Sequence, residues 1–126
     1  MNEQKFMICG KCGNLVGIIH DSGAPVVCCG DPMEVLTANT VDASHEKHVP
    51  DVRKDGSIVT VQVGSVLHPS TAEHNIGFIY LKTENGGQKK HIKPGSDPVA
   101  VFSLADDKPL SVYAYCNLHG LWKTDI

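Results

Sequence analysis

Ile58-Val59-Thr60-Val61-Gln62-Val63 puts Val59, Val61 and Val63 on one side of an extended chain and Thr60 and Gln62 on the other. Strand side chains alternate faces, so this is a half-buried strand rather than a helix. Lys54-Asp55-Gly56-Ser57 ahead of it is a hairpin turn signal. Downstream, Ile76–Thr83 reads as another strand, ended by Asn85-Gly86-Gly87, with residues 89–93 pairing back across that turn. Pro94-Gly95 and Asp97-Pro98 interrupt the chain. Residues 99–104 and 110–116 are the next strands, and a short one covers 121–124. No stretch carries a convincing helical period. About seven short strands at turn-punctuated spacing predict an all-β domain, an immunoglobulin-like seven-stranded β-sandwich spanning residues 38–126. At its start, residues 38–48 are polar and aperiodic and read as linker and loop.

Upstream, residues 1–37 form a different kind of unit. Residues 5–8 read as a short strand entering Cys9-Gly10-Lys11-Cys12, and 14–20 as a second strand. Asp21-Ser22-Gly23-Ala24-Pro25 is a turn cluster, and Val26-Val27 leads into Cys28-Cys29-Gly30. So short a segment cannot fold on apolar burial alone. A metal would serve as its core, as it does in small zinc domains.

Composition narrows the function. The chain has 126 residues, 41% hydrophobic and 20% charged, a globular balance that excludes a large multidomain enzyme and a disordered tail. Eleven Lys+Arg against fourteen Asp+Glu give a net charge of −3, which argues against general nucleic-acid binding. No apolar run suffices for a membrane span, and the first residues lack a signal-peptide layout, so an unexported cytoplasmic protein is expected. The one cationic cluster, Lys89-Lys90-His91-Ile92-Lys93, reads either as the solvated face of a hairpin strand or as a docking patch.

Five cysteines and seven histidines stand out. Cys9, Cys12, Cys28 and Cys29 form a C-x2-C knuckle, a fifteen-residue spacer and an adjacent pair. An odd cysteine count disfavours a disulfide framework, and a vicinal pair closes on itself only with strain. Four thiolates suit a tetrahedral metal, with ligand type alone admitting zinc or iron. A second set is scattered through the β-domain: His48 in E-K-H-V-P, His68 in L-H-P, His74 ahead of a strand, and Cys116 and His119 in C-N-L-H-G-L-W. The prolines after His48 and His68 are expected to hold those stretches extended. C-x2-H on a turn is a chelating spacing, with Trp122 positioned to wall one side. His20, His45 and His91 have no assigned role.

Together these motifs resemble the desulfoferrodoxins, the two-iron class of superoxide reductase, over essentially the whole chain. Residues 1–37 resemble the desulforedoxin module, from C-x2-C-G-N through V-C-C-G-D-P-M, and the β-domain resembles the neelaredoxin-like catalytic domain through E-K-H-V-P, V-G-S-V-x-H-P, E-H and Y-C-N-L-H-G-x-W. The resemblance implies one iron on Cys9, Cys12, Cys28 and Cys29. It implies a second, catalytic iron with His48, His68, His74 and His119 as equatorial ligands and Cys116 as axial ligand. Glu46 and Lys47 match the mobile catalytic pair beside the open position. The implied reaction is one-electron reduction of superoxide to hydrogen peroxide, with rubredoxin or a similar small redox protein as donor, in a homodimer. Ser70-Thr71-Ala72-Glu73 departs from the more charged segment usual before His74, without removing a ligand. Three other readings fit parts of the pattern: a non-catalytic electron carrier, a zinc-stabilised binding module and a dismutase. Metal content and stoichiometric donor consumption separate them.

Overall fold

The computed structural model describes residues 3–126, which fall into two compact units, one ending at Thr37 and the other running from Ala38 to Ile126. In the first unit, β1 (Lys5–Ile8) pairs antiparallel with β2 (Leu15–Ile18) on one side and β5 (Glu34–Val35) on the other. β3 (Val27–Cys28) and β4 (Asp31–Pro32) form a minimal hairpin. The buried centre is small: Met7, Cys9 and Met33, flanked by Val16, Ile18, Val26 and Cys28. Two cysteines therefore occupy positions that a larger domain would fill with aliphatic residues.

The second unit is nearly all strand. One sheet has the order β10-β7-β6, made of β6 (Pro50–Asp55), β7 (Ile58–Val63) and β10 (Val99–Ser103). The other has the order β12-β11-β8-β9, made of β8 (Ile76–Thr83), β9 (Gly86–His91), β11 (Pro109–Cys116) and β12 (Gly120–Asp125). Val59, Val61 and Val63 of β7 and Ala100 and Phe102 of β10 meet Ile79 and Leu81 of β8 and Val112 and Ala114 of β11 in one core. The alternation in β7 thus marks the face that packs against the other sheet.

The structure corrects several local expectations. Residues 38–48 are not all loop: α1 (His45–His48) is a single helical turn. Pro50 acts on its own predecessor, Val49 (φ −70°, ψ 122°), so His48 is helical and the chain turns extended one residue later. Its reach was therefore assigned one residue too far. The β8–β9 turn is Glu84-Asn85, and Gly86 and Gly87 belong to β9. A side chain at Gly87 would collide with the Tyr80 hydroxyl, so that glycine serves a close approach rather than the turn. β6 escaped the sequence reading because it is a sheet edge whose only buried residue is Pro50, which leaves no apolar alternation. His74 lies two residues ahead of β8, which begins at Ile76. Lys89 and Lys90 are exposed, and Lys90 Nζ lies 5.9 Å from the Phe102 ring centroid. Among the described residues no helix is long and apolar enough to cross a membrane.

Candidate metal centres

The first centre is built from two tight turns. Cys9 follows β1, and the chain folds back so that Cys9 N–H donates to Asn14 O (2.8 Å) and Gly13 N–H to Cys9 O (3.0 Å). Cys29 and Gly30 form the β3–β4 turn, with φ of 53° and 81°. Two successive positive φ values suit a two-residue hairpin turn, and Gly30 adopts one freely, whereas Cys29 is an uncommon occupant. That turn presents the two neighbouring thiols to the same side: Cys28 Sγ lies 4.0 Å from Cys29 Sγ and 3.6 Å from Cys12 Sγ. All four sulfurs fall within 4.8 Å of one another. A tetrahedron with metal–sulfur bonds of about 2.3 Å has edges of about 3.8 Å, so the donor set fits a single ion.

The electrostatics agree. Backbone N–H groups of Cys12 and Lys11 lower the Cys9 thiol to about 6, whereas hydrogen bonding with the Cys12, Cys9 and Cys28 sulfurs raises Cys29 to about 12. Four crowded sulfurs cannot all ionise unaided, and a bound cation removes that conflict. Cys12 N–H and Asn14 N–H already point at Cys9 Sγ (3.4 Å) and Cys12 Sγ (3.5 Å).

The second centre draws on four separate segments. His48 ends α1, His68 and His74 lie in the β7–β8 connection, Cys116 closes β11 and His119 sits in the β11–β12 turn. The imidazoles form a closed ring. Centroids are 4.7 Å apart for His48–His68, 4.6 Å for His68–His74, 5.2 Å for His74–His119 and 4.9 Å for His119–His48. Successive rings stand 72° to 85° to each other, and the His48–His74 diagonal is longer, 6.4 Å, at 34°. The four imidazoles make a puckered square. One nitrogen or sulfur from each of His48, His68, His74 and Cys116 lies within 4.8 Å of all the others. His119 completes the square, its Nδ1 3.1 Å from His48 Nε2 and 3.8 Å from Cys116 Sγ.

The tautomers are set by the backbone. His48 Nδ1 lies 2.6 Å from Ser44 O and His68 Nδ1 2.7 Å from Pro69 O, which makes each Nδ1 the donor and leaves Nε2 as a lone-pair donor to a metal. His68 Nε2 and His74 Nε2 are buried with no hydrogen-bond partner among the described residues. An unsatisfied buried nitrogen is costly, and two of them aimed into one cluster mark an ion site. Burial, above all, lowers the His68 pKa to about 4 and also lowers those of His48 and His74, so these rings stay neutral, as ligation requires. Burial raises the Cys116 thiol, opposed by N–H groups of Leu118 and His119 directed at its sulfur.

All nine ligand positions named from the sequence therefore lie in two clusters. Trp122, expected to wall one side of the centre, packs there, whereas the support from Asn117 was not anticipated. Trp122, fully buried, packs 4.9 Å from the His48 ring and donates Nε1–H to His119 O (3.1 Å). Asn117 Nδ2–H donates to Glu73 O (2.8 Å) and its Oδ1 accepts from Asn75 N–H (2.9 Å), bracketing His74. Nothing local in C-N-L-H-G announces an amide whose partners are some forty residues away. Glu46 and Lys47 are exposed on α1, and neither side chain forms a hydrogen bond or ion pair among the described residues. The charge of Lys47 is felt at His74, where, after burial and His119, it helps lower the imidazole pKa.

The Desulfoferrodoxin family profile matches residues 40–125, most of the second unit and its entire histidine set. The chain belongs to the desulfoferrodoxin family. It is 45% identical to a desulfoferrodoxin of Syntrophotalea carbinolica, covering 93% of this chain and 92% of that one. It is 41% identical to a desulfoferrodoxin of Nitratidesulfovibrio vulgaris, covering 98% of each. The crystal structure of the superoxide reductase from Treponema pallidum superposes with a TM-score of 0.83 at 39% identity, covering 98% of this chain and 100% of that one. At 98% coverage of this chain, the matches to the second relative and to the solved structure extend through both units.

Proposed function

We propose that this desulfoferrodoxin is a superoxide reductase with two irons, one held by Cys9, Cys12, Cys28 and Cys29 and one by His48, His68, His74, His119 and Cys116. The observation that carries the reading is the square of four imidazoles with a buried thiol beside it. Structural metal sites are normally closed by four ligands, whereas five ligands on a six-coordinate metal leave one position free. When bound, the second iron supplies one electron to superoxide at that free position.

The chain's own residues do the rest. Four neutral imidazoles and one thiolate add a single negative charge to a divalent cation, which leaves the site at +1 and attractive to a small anion. Four thiolates leave the other site at −2, which repels superoxide and suits electron relay. Lys47 extends the cationic field at the exposed rim and holds a water that delivers a proton. Glu46, its neighbour on α1, is the carboxylate that would bind the iron between turnovers. Buried packing around Cys116 keeps bulk water from the sulfur.

The net reaction consumes superoxide, one electron and two protons and yields hydrogen peroxide. The electron comes from rubredoxin or a similar small redox protein, and the working form is a cytoplasmic homodimer. Metal analysis with visible and EPR spectra in both redox states tests this. Two irons per chain, with stoichiometric oxidation of the donor per superoxide consumed and no oxygen released, are expected. One iron per chain identifies an electron carrier, zinc in both clusters a binding module, and oxygen evolution without donor consumption a dismutase.

A further inference from the structure

The α1 turn carries Glu46, Lys47 and His48, yet the side chains of Glu46 and Lys47 are bonded to nothing among the described residues. Apart from the buried His48 ring, what holds the turn is its backbone. The Glu46 carbonyl accepts two hydrogen bonds from the loop after β7, one from Val66 N–H (3.0 Å) and one from the Ser65 hydroxyl (3.2 Å). That loop is itself braced. Gly64 N–H donates to Val66 O (3.1 Å), His68 N–H to Val63 O (2.7 Å), and the Gln62 side-chain amide to Gly64 O (2.8 Å). Gly64 lies directly against the turn. A Cβ at that position would stand 2.5 Å from Glu46 O, 2.9 Å from Val49 O and 3.0 Å from the Lys47 carbonyl carbon. All three are backbone atoms and cannot rotate away, so any side chain at 64 displaces the turn.

We propose that Gly64, Ser65 and Val66 form a backbone latch that positions the Glu46–Lys47 turn over the histidine centre and couples His48 to His68. Gly64 supplies the close approach and Ser65 the second bond to the Glu46 carbonyl. The latch anchors the peptide while leaving both side chains free, so the exposed lysine and carboxylate work from a fixed base. These are positioning residues, and the proposal deepens the role given to Lys47 above.

The test uses the iron-loaded full chain. In Ser65→Ala, the Val66 amide is expected to exchange with solvent roughly tenfold faster, the consequence of weakening one hydrogen-bonded anchor. Amides of Val61 and Val112 in the sandwich core keep their protection, and Ser65→Thr restores Val66. The superoxide rate of Ser65→Ala falls several-fold, and the loss disappears when Lys47 is already alanine, because coupled residues are non-additive. Gly64→Ala loses iron from the histidine centre while the four-cysteine centre stays loaded. Val66 exchange unchanged in Ser65→Ala overturns the latch. So does a Ser65→Ala penalty that persists undiminished beside Lys47→Ala, or a Gly64→Ala protein with an unaltered histidine-centre spectrum. Absence of superoxide reduction in the parent protein instead sinks the proposed function, and the exchange and spectral measurements still decide the latch.

Discussion

The two candidate centres solve the same problem, holding a cation, from opposite ends of the size scale. In the first unit the ligands come from two turns about twenty residues apart, and two of them, Cys9 and Cys28, belong to the unit's small core. Ligand and core are the same atoms there. In the second unit a separate aliphatic core joins the two sheets, and the imidazoles sit on connections at the end of that scaffold. Only Cys116 belongs both to core and centre. A metal can therefore be expected to make the first fold and merely to load the second.

Metal removal breaks this comparison most directly. Chelation under reducing conditions should unfold the first unit, since structural four-ligand sites supply on the order of 10 kcal/mol to small domains. Amide signals of Met7 and Val16 should collapse while those of Val61 and Val112 persist. Equal loss in both units would show that the sandwich depends on its centre too.

Next in size is Cys116→Ser. The oxygen ligand is harder and less electron-rich than thiolate. The variant should lose the thiolate-to-iron visible band and most superoxide reduction, with the four-cysteine spectrum untouched. An unaltered band would remove Cys116 from the ligand set.

Acid should act on one centre through its imidazoles. A histidine whose folded pKa is depressed binds fewer protons folded than unfolded. Its contribution to stability is therefore complete above about 6.5 and is lost as pH falls towards about 4, the value for His68. Across that window the metal-free second unit should lose stability and the loaded protein should release iron from the histidine centre. A stability curve that is flat between pH 6.5 and 4 would contradict it.

Lys47→Ala should have the smallest of these effects. The superoxide rate should fall about tenfold at low salt and less at high salt, as for an exposed steering charge, with the iron spectrum preserved. Glu46→Ala should leave the first bimolecular step intact. Stopped-flow mixing at two ionic strengths measures both.

Much of this was readable from residue order. The knuckle and the vicinal pair lie close along the chain, so their convergence is nearly a local property. β7, β8 and β11 were visible because each has a face in the core, and alternation records burial. β6 and α1 were not, because an exposed edge strand and a single helical turn bury too little to leave a pattern. His48 was chosen on the wrong local geometry, since the extended stretch begins at Val49.

Residue identity alone settled the chemistry available here: four soft thiols in one short segment, and imidazole nitrogens with one further sulfur scattered through the rest. It settled the strands that have a face in the core as well, because periodicity of two needs no knowledge of neighbours. The closing of the imidazole square, the carbonyls of Ser44 and Pro69 that choose its tautomers, and the Gly64 contact that seats α1 belong to the folded chain. The carbonyls are near in sequence but are aimed only by the folded backbone, whereas the square and the Gly64 contact join groups far apart along the chain, and a one-dimensional string holds neither a backbone direction nor the distance between residues that meet only after folding.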